Sequence, residues 1–293
     1  ISPLRHNIYN TPAMAKRQKI LIIVGPTSSG KSALAVSLAR KFSAGGGSLP
    51  AGRRGAFGGN GAEIISADSR QVYRGLNIGT GKITKCEMKG VRHHLLNVVS
   101  PQKTFTAHDY LIHTNQAIAE IVHRGKLPII CGGTGLYLDV LTGRIALPNV
   151  PANPKLRQNL KKKSVQQLFA LLKKQDPRRA QAMNSSSERN NKVRLIRALE
   201  IAHTLGKAPM IEIRSQSFDT LWVGIDLPTK ILEKKIAVRL HARMKRGMVA
   251  EARRLHRDGL SYKRMNELGL EYRSLASLLQ GTITREQMIE ELQ

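Results

Sequence analysis

The run from Ile20 to Ser32, ILIIVGPTSSGKS, constrains this chain more than any other stretch. An apolar segment breaks into Gly-x-x-x-x-Gly-Lys-Ser and then into a helical pattern carried by Ala33, Leu34, Val36, Leu38 and Ala39. Gly25 and Gly30 permit a tight turn with inward-pointing backbone N–H groups, Lys31 reaches phosphate oxygens, and Ser32 offers a hydroxyl to Mg²⁺. Such a loop sits at the positive end of a helix dipole, where an anion is favoured. Gly25, Pro26, Thr27, Ser28, Ser29, Gly30, Lys31 and Ser32 are therefore the candidate phosphate cradle, with Ser32 the candidate metal ligand. A Gly-rich turn can match the pattern by accident, but a strand before and a helix after supply the context a phosphate loop requires. ATP or GTP is the default ligand of that motif.

A chain of 293 residues at 41% apolar composition can bury a sizeable core and has room for more than one domain. No run approaches the roughly 18 apolar residues needed to cross a bilayer, and the N-terminus lacks a secretory apolar region. The expectation is a cytoplasmic, monomeric protein without a membrane partner. Cys86 and Cys131 are too few and too far apart for a disulfide framework or a zinc site, and are expected to be reduced packing residues. Charge is the loudest compositional signal: 48 Lys and Arg against 20 Asp and Glu give a formal +28. That balance calls for a polyanionic partner, with nucleic acid ahead of an anionic membrane surface or a merely basic exterior. The excess runs along the whole chain and is densest over 151–219, as suits a broad face that meets a phosphate backbone many times.

Residues 1–15 carry no period and begin at Ile1, so they are expected to be a disordered extension or an upstream artefact, with Met14 a candidate start. The Gly-rich stretch 43–61 is expected to be a flexible insertion. From 62 to 142, the apolar runs AEIISAD, HLLNVV and LPIICGG alternate with longer segments, including a helix-like stretch from His108 to Arg124. Such alternation predicts a parallel α/β sheet, in which ligands gather at the carboxyl ends of the strands. Three features fall there: the loop after Val24, Asp68 after Ile65, and Gly132 to Gly135 after Cys131. After Pro148, Pro151 and Pro154 the pattern turns helical to 219, and LWVGIDL (221–227) restores a strand before further helices from Lys230. The fold class is thus α/β, a P-loop NTPase-like parallel sheet flanked by helices with an inserted all-helical domain. The core spans 16–142 and 220–293, and the basic helical insertion spans 143–219.

Asp68 ends a strand within ISADSRQVYRGLNIGTGK and suits either a water-mediated Mg²⁺ contact or a general base. A strand-end carboxylate is also often just a helix cap, but Ser69, Arg70, Gln71, Gly75, Gly79 and Gly81 make its surroundings dense and ligand-like. Thr134 in GGTGLYL stands where a strand turns into a helix, with N–H groups and a hydroxyl for an anion, or as a simple turn cap. An ordinary P-loop ATPase ends one strand in an Asp for the metal. Here LPIIC ends in Gly-Gly-Thr, which points from nucleotide hydrolysis toward other diphosphate chemistry. Arg239 and Arg243 lie one helical turn apart, as do Arg194 and Arg197 at nearly that spacing, and either pair reads as ligand contacts or solvated charge. His93 and His94 lack partners at metal-ligand spacing, which favours structural or substrate-orienting roles.

Taken in order, GPTSSGKS, IISADSRQVYRGLNIGTGK, VRHHLLNVVSP, GGTGLYL, VRLIRALEIAHTLGK, LWVGIDL and RLHARMKRGMVAEARRL resemble successive blocks of the tRNA dimethylallyltransferase (tRNA isopentenyltransferase) family over roughly residues 20–281. The resemblance implies transfer of a dimethylallyl group from its diphosphate to N6 of adenosine 37, beside the anticodon of certain tRNAs. By similarity, residues 25–32 would hold the diphosphate of dimethylallyl diphosphate, with Ser32 on the Mg²⁺ side. Asp68 would take a proton from, or hydrogen-bond to, the adenine amine, while Thr134 and Arg239 would stabilise the departing diphosphate. Asp68, Ser69, Arg70, Gln71, Arg157, Arg194, Arg197, Tyr272 and Arg273 match positions that contact tRNA, and the anticodon stem-loop is the implied partner. The target base would be extruded into the site. Three features depart from the family pattern. The stretch 43–61 is long, Glu271-Tyr272-Arg273 stands where Gly-Tyr-Arg is usual, and the chain stops at Gln293 before a final basic helix, which with Ile1 suggests an incomplete record. An adenylate isopentenyltransferase acting on free AMP, ADP or ATP, a small-molecule P-loop kinase, and a non-catalytic RNA-binding module are the competing readings.

Overall fold

Residues 17–44, 60–183, 185–206 and 218–293 are described by the computed structural model. The extension 1–15, with Met14, and residues 45–59 of the Gly-rich stretch lie outside the described residues. The chain divides into two units, one formed by residues 1–142 with 216–293 and the other by residues 143–215.

In the first unit the apolar run before the phosphate loop forms β1 (Gln18–Val24), and the pattern after it forms α1 (Lys31–Ala44). Next come β2 (Ala62–Ala67), α2 (Lys85–Met88), β3 (His93–His94), α3 (Ala107–His123), β4 (Leu127–Gly132) and α4 (Gly135–Leu141). The second unit holds α5 (Pro154–Lys161), α6 (Val165–Gln175), α7 (Pro177–Ala182), α8 (Ser186–Arg189) and α9 (Lys192–Leu205). The chain then returns with β5 (Phe218–Gly224), α10 (Thr229–Lys245), α11 (Met248–Arg257), α12 (Tyr262–Glu267), α13 (Leu270–Leu279) and α14 (Arg285–Glu291).

The sheet order is β3-β2-β4-β1-β5, with every named pair parallel. β2 and β4 are buried along their whole length, which explains why their sequences read as near-continuous apolar runs. One face packs Ile20, Ile22, Ile65 and Ile130 against α3 and α4. The other packs Leu21, Ile23, Ile64 and Ile129 against Ala35, Val36 and Ala39 of α1. A second core joins Leu240, Met244, Met248, Leu255 and Leu275 from the C-terminal helices to Val72, Tyr73 and Leu76. Burying a side chain such as Leu240, which is fully enclosed, contributes roughly 1.5–3 kcal/mol. That core fixes the face of α10 on which Arg239 and Arg243 stand.

The run HLLNVV differs from its expected strand. Only His93 and His94 pair with β2, because Leu95 (φ 61°) and Asn97 (φ 58°) turn the backbone left-handed. Val99 rejoins only through an isolated bridge to Tyr73. The last strand likewise starts earlier than LWVGIDL and ends at Gly224.

Each unit carries a carboxylate deep inside. Glu63 on β2 is 2% exposed and accepts from Arg124 (2.7 Å), Lys126 (2.9 Å) and His94 (2.7 Å). In the helical unit, Glu200 is fully buried beside the Leu168, Leu172, Leu195 and Leu199 core, where it accepts from Asn153 N (2.6 Å), Arg157 (2.7 Å) and Arg197. Burial alone would raise both pKa values, but these donors outweigh it and hold each carboxyl at about 2 against an ordinary 4.5. A carboxylate depressed in the folded state adds stability that is complete above its unfolded pKa and disappears as pH falls through its folded one. Thermal melting followed by circular dichroism should therefore weaken between about pH 4.5 and pH 2, and Glu63→Gln should lower the neutral-pH midpoint while flattening that acid limb. An acid limb of unchanged steepness in the variant would contradict the assignment.

Candidate active site

β1, β2 and β4 deliver their carboxyl ends to one rim, where a cavity of about 560 Å³ opens. Gly25, Pro26, Thr27, Ser28, Lys31 and Ser32 line it from the phosphate loop. Lys31 Nζ donates to the Pro26 carbonyl (2.9 Å). Burial lowers the Lys31 pKa, with Arg239 adding to the effect and Cys131 and Asp68 opposing it. Ser29 of the same loop is, by contrast, buried, and among the described residues its Oγ has no hydrogen-bond partner.

Asp68 follows β2 directly and folds back on its own turn. Its Oδ1 accepts from Arg70 N (2.8 Å) and Gln71 N (3.2 Å), while among the described residues Oδ2 accepts from the Gln71 side-chain amide alone, at 3.3 Å. The capping reading and the chemical reading thus fall on different oxygens, and Oδ2 is the one with capacity to spare. Thr134 sits at the N-cap of α4 without capping it. Its Oγ1 instead accepts from Ser69 N (3.0 Å), and its own N–H donates to the Ala67 carbonyl (3.1 Å). These two bonds stitch the end of β4 to the Asp68 turn. They depend on Gly132, where an added Cβ would lie 2.2 Å from the Ala67 carbonyl oxygen.

α10 supplies the cations. Arg239 Nη1 donates to Ser28 Oγ (3.1 Å), and Arg243 Nη1 donates to the Gly79 carbonyl (2.7 Å) and lies 3.5 Å from Glu271. Arg243 Nε is buried and has no hydrogen-bond partner among the described residues. Burial and the neighbouring Arg243 lower the Arg239 pKa. Ile236, Leu270 and Leu292 add an apolar wall, and Arg70, Gln71, Thr80, Gly81, His93 and Cys131 also line the cavity. Cys131 is a free thiol pushed up to about 11 by burial.

Asp68, Thr134, Arg239 and the phosphate loop therefore meet in one cavity. Ser69 touches it through Thr134, and Arg273 is exposed on α13. Tyr272, expected at a tRNA contact, is 1% exposed and its hydroxyl donates to Glu251 (2.7 Å). Arg157 and Arg197 partner Glu200 within the helical unit, while Arg194 is exposed and pairs with Glu188 (2.7 Å). His94 is committed to Glu63 and His93 Nδ1 to the Val91 carbonyl (2.9 Å).

A model of the IPP transferase family matches residues 71–293. The chain belongs to that family. It is 36% identical over 276 residues to tRNA dimethylallyltransferase 1 of Geotalea uraniireducens, covering 93% of this chain and 82% of that protein. The tRNA dimethylallyltransferase of Leuconostoc citreum is 37% identical over 272 residues, covering 92% and 84%. Among solved structures, the full-length tRNA isopentenylpyrophosphate transferase of Bacillus halodurans superposes with a TM-score of 0.63 at 32% identity, over 94% of this chain and 82% of that one. A eukaryotic dimethylallyltransferase, described as acting on tRNA, gives 0.74 at 26% identity over 94% and 66%.

In this member of the IPP transferase family, sequence reasoning did not single out Lys82 or Glu251. Lys82 is buried and donates to the Tyr73 carbonyl (2.6 Å) and Asn97 Oδ1 (2.5 Å). Burial lowers its pKa to about 8 despite attraction from Glu251 and Asp68. The available signal for Glu251 was its place on the buried face of α11, in register with Met248, Ala252 and Leu255.

Among the described residues no group of three or more His, Cys, Asp and Glu is placed to hold a metal. The hydroxyl of Ser32, with an open rim of N–H donors and cations, fits a Mg²⁺ that arrives on a diphosphate and takes most of its ligands from phosphate and water. Lys31 has one protein acceptor and faces the cavity, so Lys31→Met should weaken binding of magnesium pyrophosphate by about tenfold or more while leaving the melting midpoint nearly unchanged. Calorimetry decides this, and undiminished affinity would remove Lys31 from the anion grip.

Proposed function

We propose that this chain transfers a dimethylallyl group from dimethylallyl diphosphate to N6 of adenosine 37 in tRNA, releasing diphosphate. The carrying observation is that an anion loop, a strand-end carboxylate and Thr134 share one rim with the α10 arginines. Relatives at 36–37% identity bear the name tRNA dimethylallyltransferase, which supports the same reaction.

In the proposed step the adenine amine attacks the allylic carbon, forming a C–N bond as the C–O bond to the diphosphate breaks. The proton lost from N6 goes to Asp68 Oδ2, the less committed oxygen, while Oδ1 stays bound to the Arg70 and Gln71 amides and fixes the carboxylate. Negative charge accumulates on the departing diphosphate. Loop N–H groups, Lys31, Arg239 and the Thr134 hydroxyl oppose it from preset positions around the cavity. Mg²⁺ held at Ser32 would supply Lewis-acid charge neutralisation. Ile236, Leu270 and Leu292 suit the apolar prenyl tail. No carboxylate ends β4 to serve γ-phosphate hydrolysis, since Gly132, Gly133 and Thr134 occupy that place.

The anticodon stem-loop is the proposed RNA element, gripped largely through phosphates and shape. Arg194, Arg273, Arg70 and the half-exposed Arg157 and Arg197 are the proposed contacts on their respective units, and cytoplasmic action as a monomer completes the reading. Among the described residues no helix is long and apolar enough to cross a membrane.

Offering labelled dimethylallyl diphosphate together with tRNA and AMP should place the label in tRNA, and label in AMP alone would favour the adenylate enzyme. Asp68→Asn should cut single-turnover transfer by about 10²-fold or more with tRNA affinity retained, and an unchanged rate would exclude the general-base role. With a net charge of +28, log affinity for tRNA should fall steeply and linearly with log salt. A flat response would count against a phosphate-gripping surface.

A further inference from the structure

Glu251 lies outside the cavity lining yet organises part of its wall. It is 4% exposed, on the face of α11 whose Met248, Ala252 and Leu255 belong to the second core. Oε2 accepts from Asn77 N (3.0 Å) and Ile78 N (2.8 Å), and Oε1 from Gly79 N (2.9 Å), Ile78 N (3.0 Å) and Tyr272 Oη (2.7 Å). Three consecutive backbone N–H groups thus converge on one internal carboxylate, the arrangement by which a backbone nest holds an anion. The turn closes on itself through Lys82 N to the Asn77 carbonyl (2.9 Å) and Gly81 N to the Ile78 carbonyl (3.0 Å).

The far side of that turn faces the two α10 arginines. The Gly79 carbonyl receives Arg243 Nη1, and the site of a Cβ on Gly81 lies 3.0 Å from Arg239 Nη2. Arg239 in turn reaches Ser28 in the phosphate loop. A continuous chain of contacts therefore runs from Glu251 through residues 77–81 to both arginines and to the loop. Gly79 is also pinned from behind, because a Cβ there would meet the enclosed Tyr272 ring and hydroxyl at 2.7 Å.

We propose that Glu251 is a positioning residue for diphosphate capture and departure: its carboxylate sets the 77–81 turn, which aims Arg243 and Arg239 at the anion. The inference deepens the dimethylallyl-transfer reading and rests on it for the identity of the anion. Glutamine at 251 has nearly the same shape, but its amide nitrogen would present hydrogens to backbone N–H donors. One edge of the turn would lose its acceptor and shift.

The test compares wild-type chain with Glu251→Gln and with Gly79→Ala, which crowds the same turn against Tyr272 while leaving the carboxylate in place and decides the matter if the first variant does not fold. Melting and circular dichroism establish the folded fraction, and calorimetry gives affinity for magnesium pyrophosphate and for tRNA. Single-turnover transfer is read per folded molecule. The expected result is pyrophosphate affinity lowered about tenfold and transfer lowered about 10²-fold, with tRNA affinity within twofold. Pyrophosphate affinity and transfer rate per folded molecule both within twofold of wild type would overturn the proposal, leaving Glu251 as a fold-stabilising group. If wild type binds pyrophosphate but prenylates no tRNA, the transfer reading fails, while the pyrophosphate comparison still decides whether Glu251 aims the arginines.

Discussion

The close approach of β4 to the end of β2 is the contact on which the site depends. At Gly132 no side chain separates the backbone from the Ala67 carbonyl, so Thr134 N can bond that carbonyl and Thr134 Oγ1 can receive Ser69 N. Asp68 lies between those two anchored residues. Asp68 and Thr134, the proposed base and the proposed leaving-group donor, are thereby fixed relative to each other by the two strand ends. The phosphate loop joins them because β1 lies beside β4 in the parallel sheet and ends at the same rim.

Buried carboxylates are the second organising device. In a chain with 48 cationic and 20 acidic side chains, Glu63, Glu200 and Glu251 are all withdrawn from solvent. Each gathers a set of donors: basic side chains and a histidine for Glu63, two arginines and an amide for Glu200, three amides and a tyrosine for Glu251. Removing one partner from such a cluster is costly because the remaining group stays buried without compensation. Interior use of these acids leaves basic side chains such as Arg194 and Arg273 facing outward, as a polyanionic partner requires.

Much of the site was legible from local pattern. The phosphate loop announces itself because its chemistry is carried by contiguous residues of fixed spacing, and Asp68 and Thr134 stand where fully buried strands end. Less legible features depend on contacts across long sequence separations. Tyr272 resembled a family RNA contact, yet its fate is decided by Glu251, 21 residues away. Glu251 carries no local motif, and its backbone partners lie more than 170 residues earlier. HLLNVV had the composition of a strand, but two left-handed residues, unpredictable from hydropathy, convert most of it to an irregular segment.

The central claim is that this rim activates an RNA base toward a prenyl diphosphate. Nucleoside mass spectrometry, with positional mapping of unmodified tRNA after incubation with the chain, Mg²⁺ and dimethylallyl diphosphate, tests it most directly. The account predicts one N6-dimethylallyladenosine at position 37 and stoichiometric diphosphate. Unmodified tRNA accompanied by phosphate release from added ATP would contradict it.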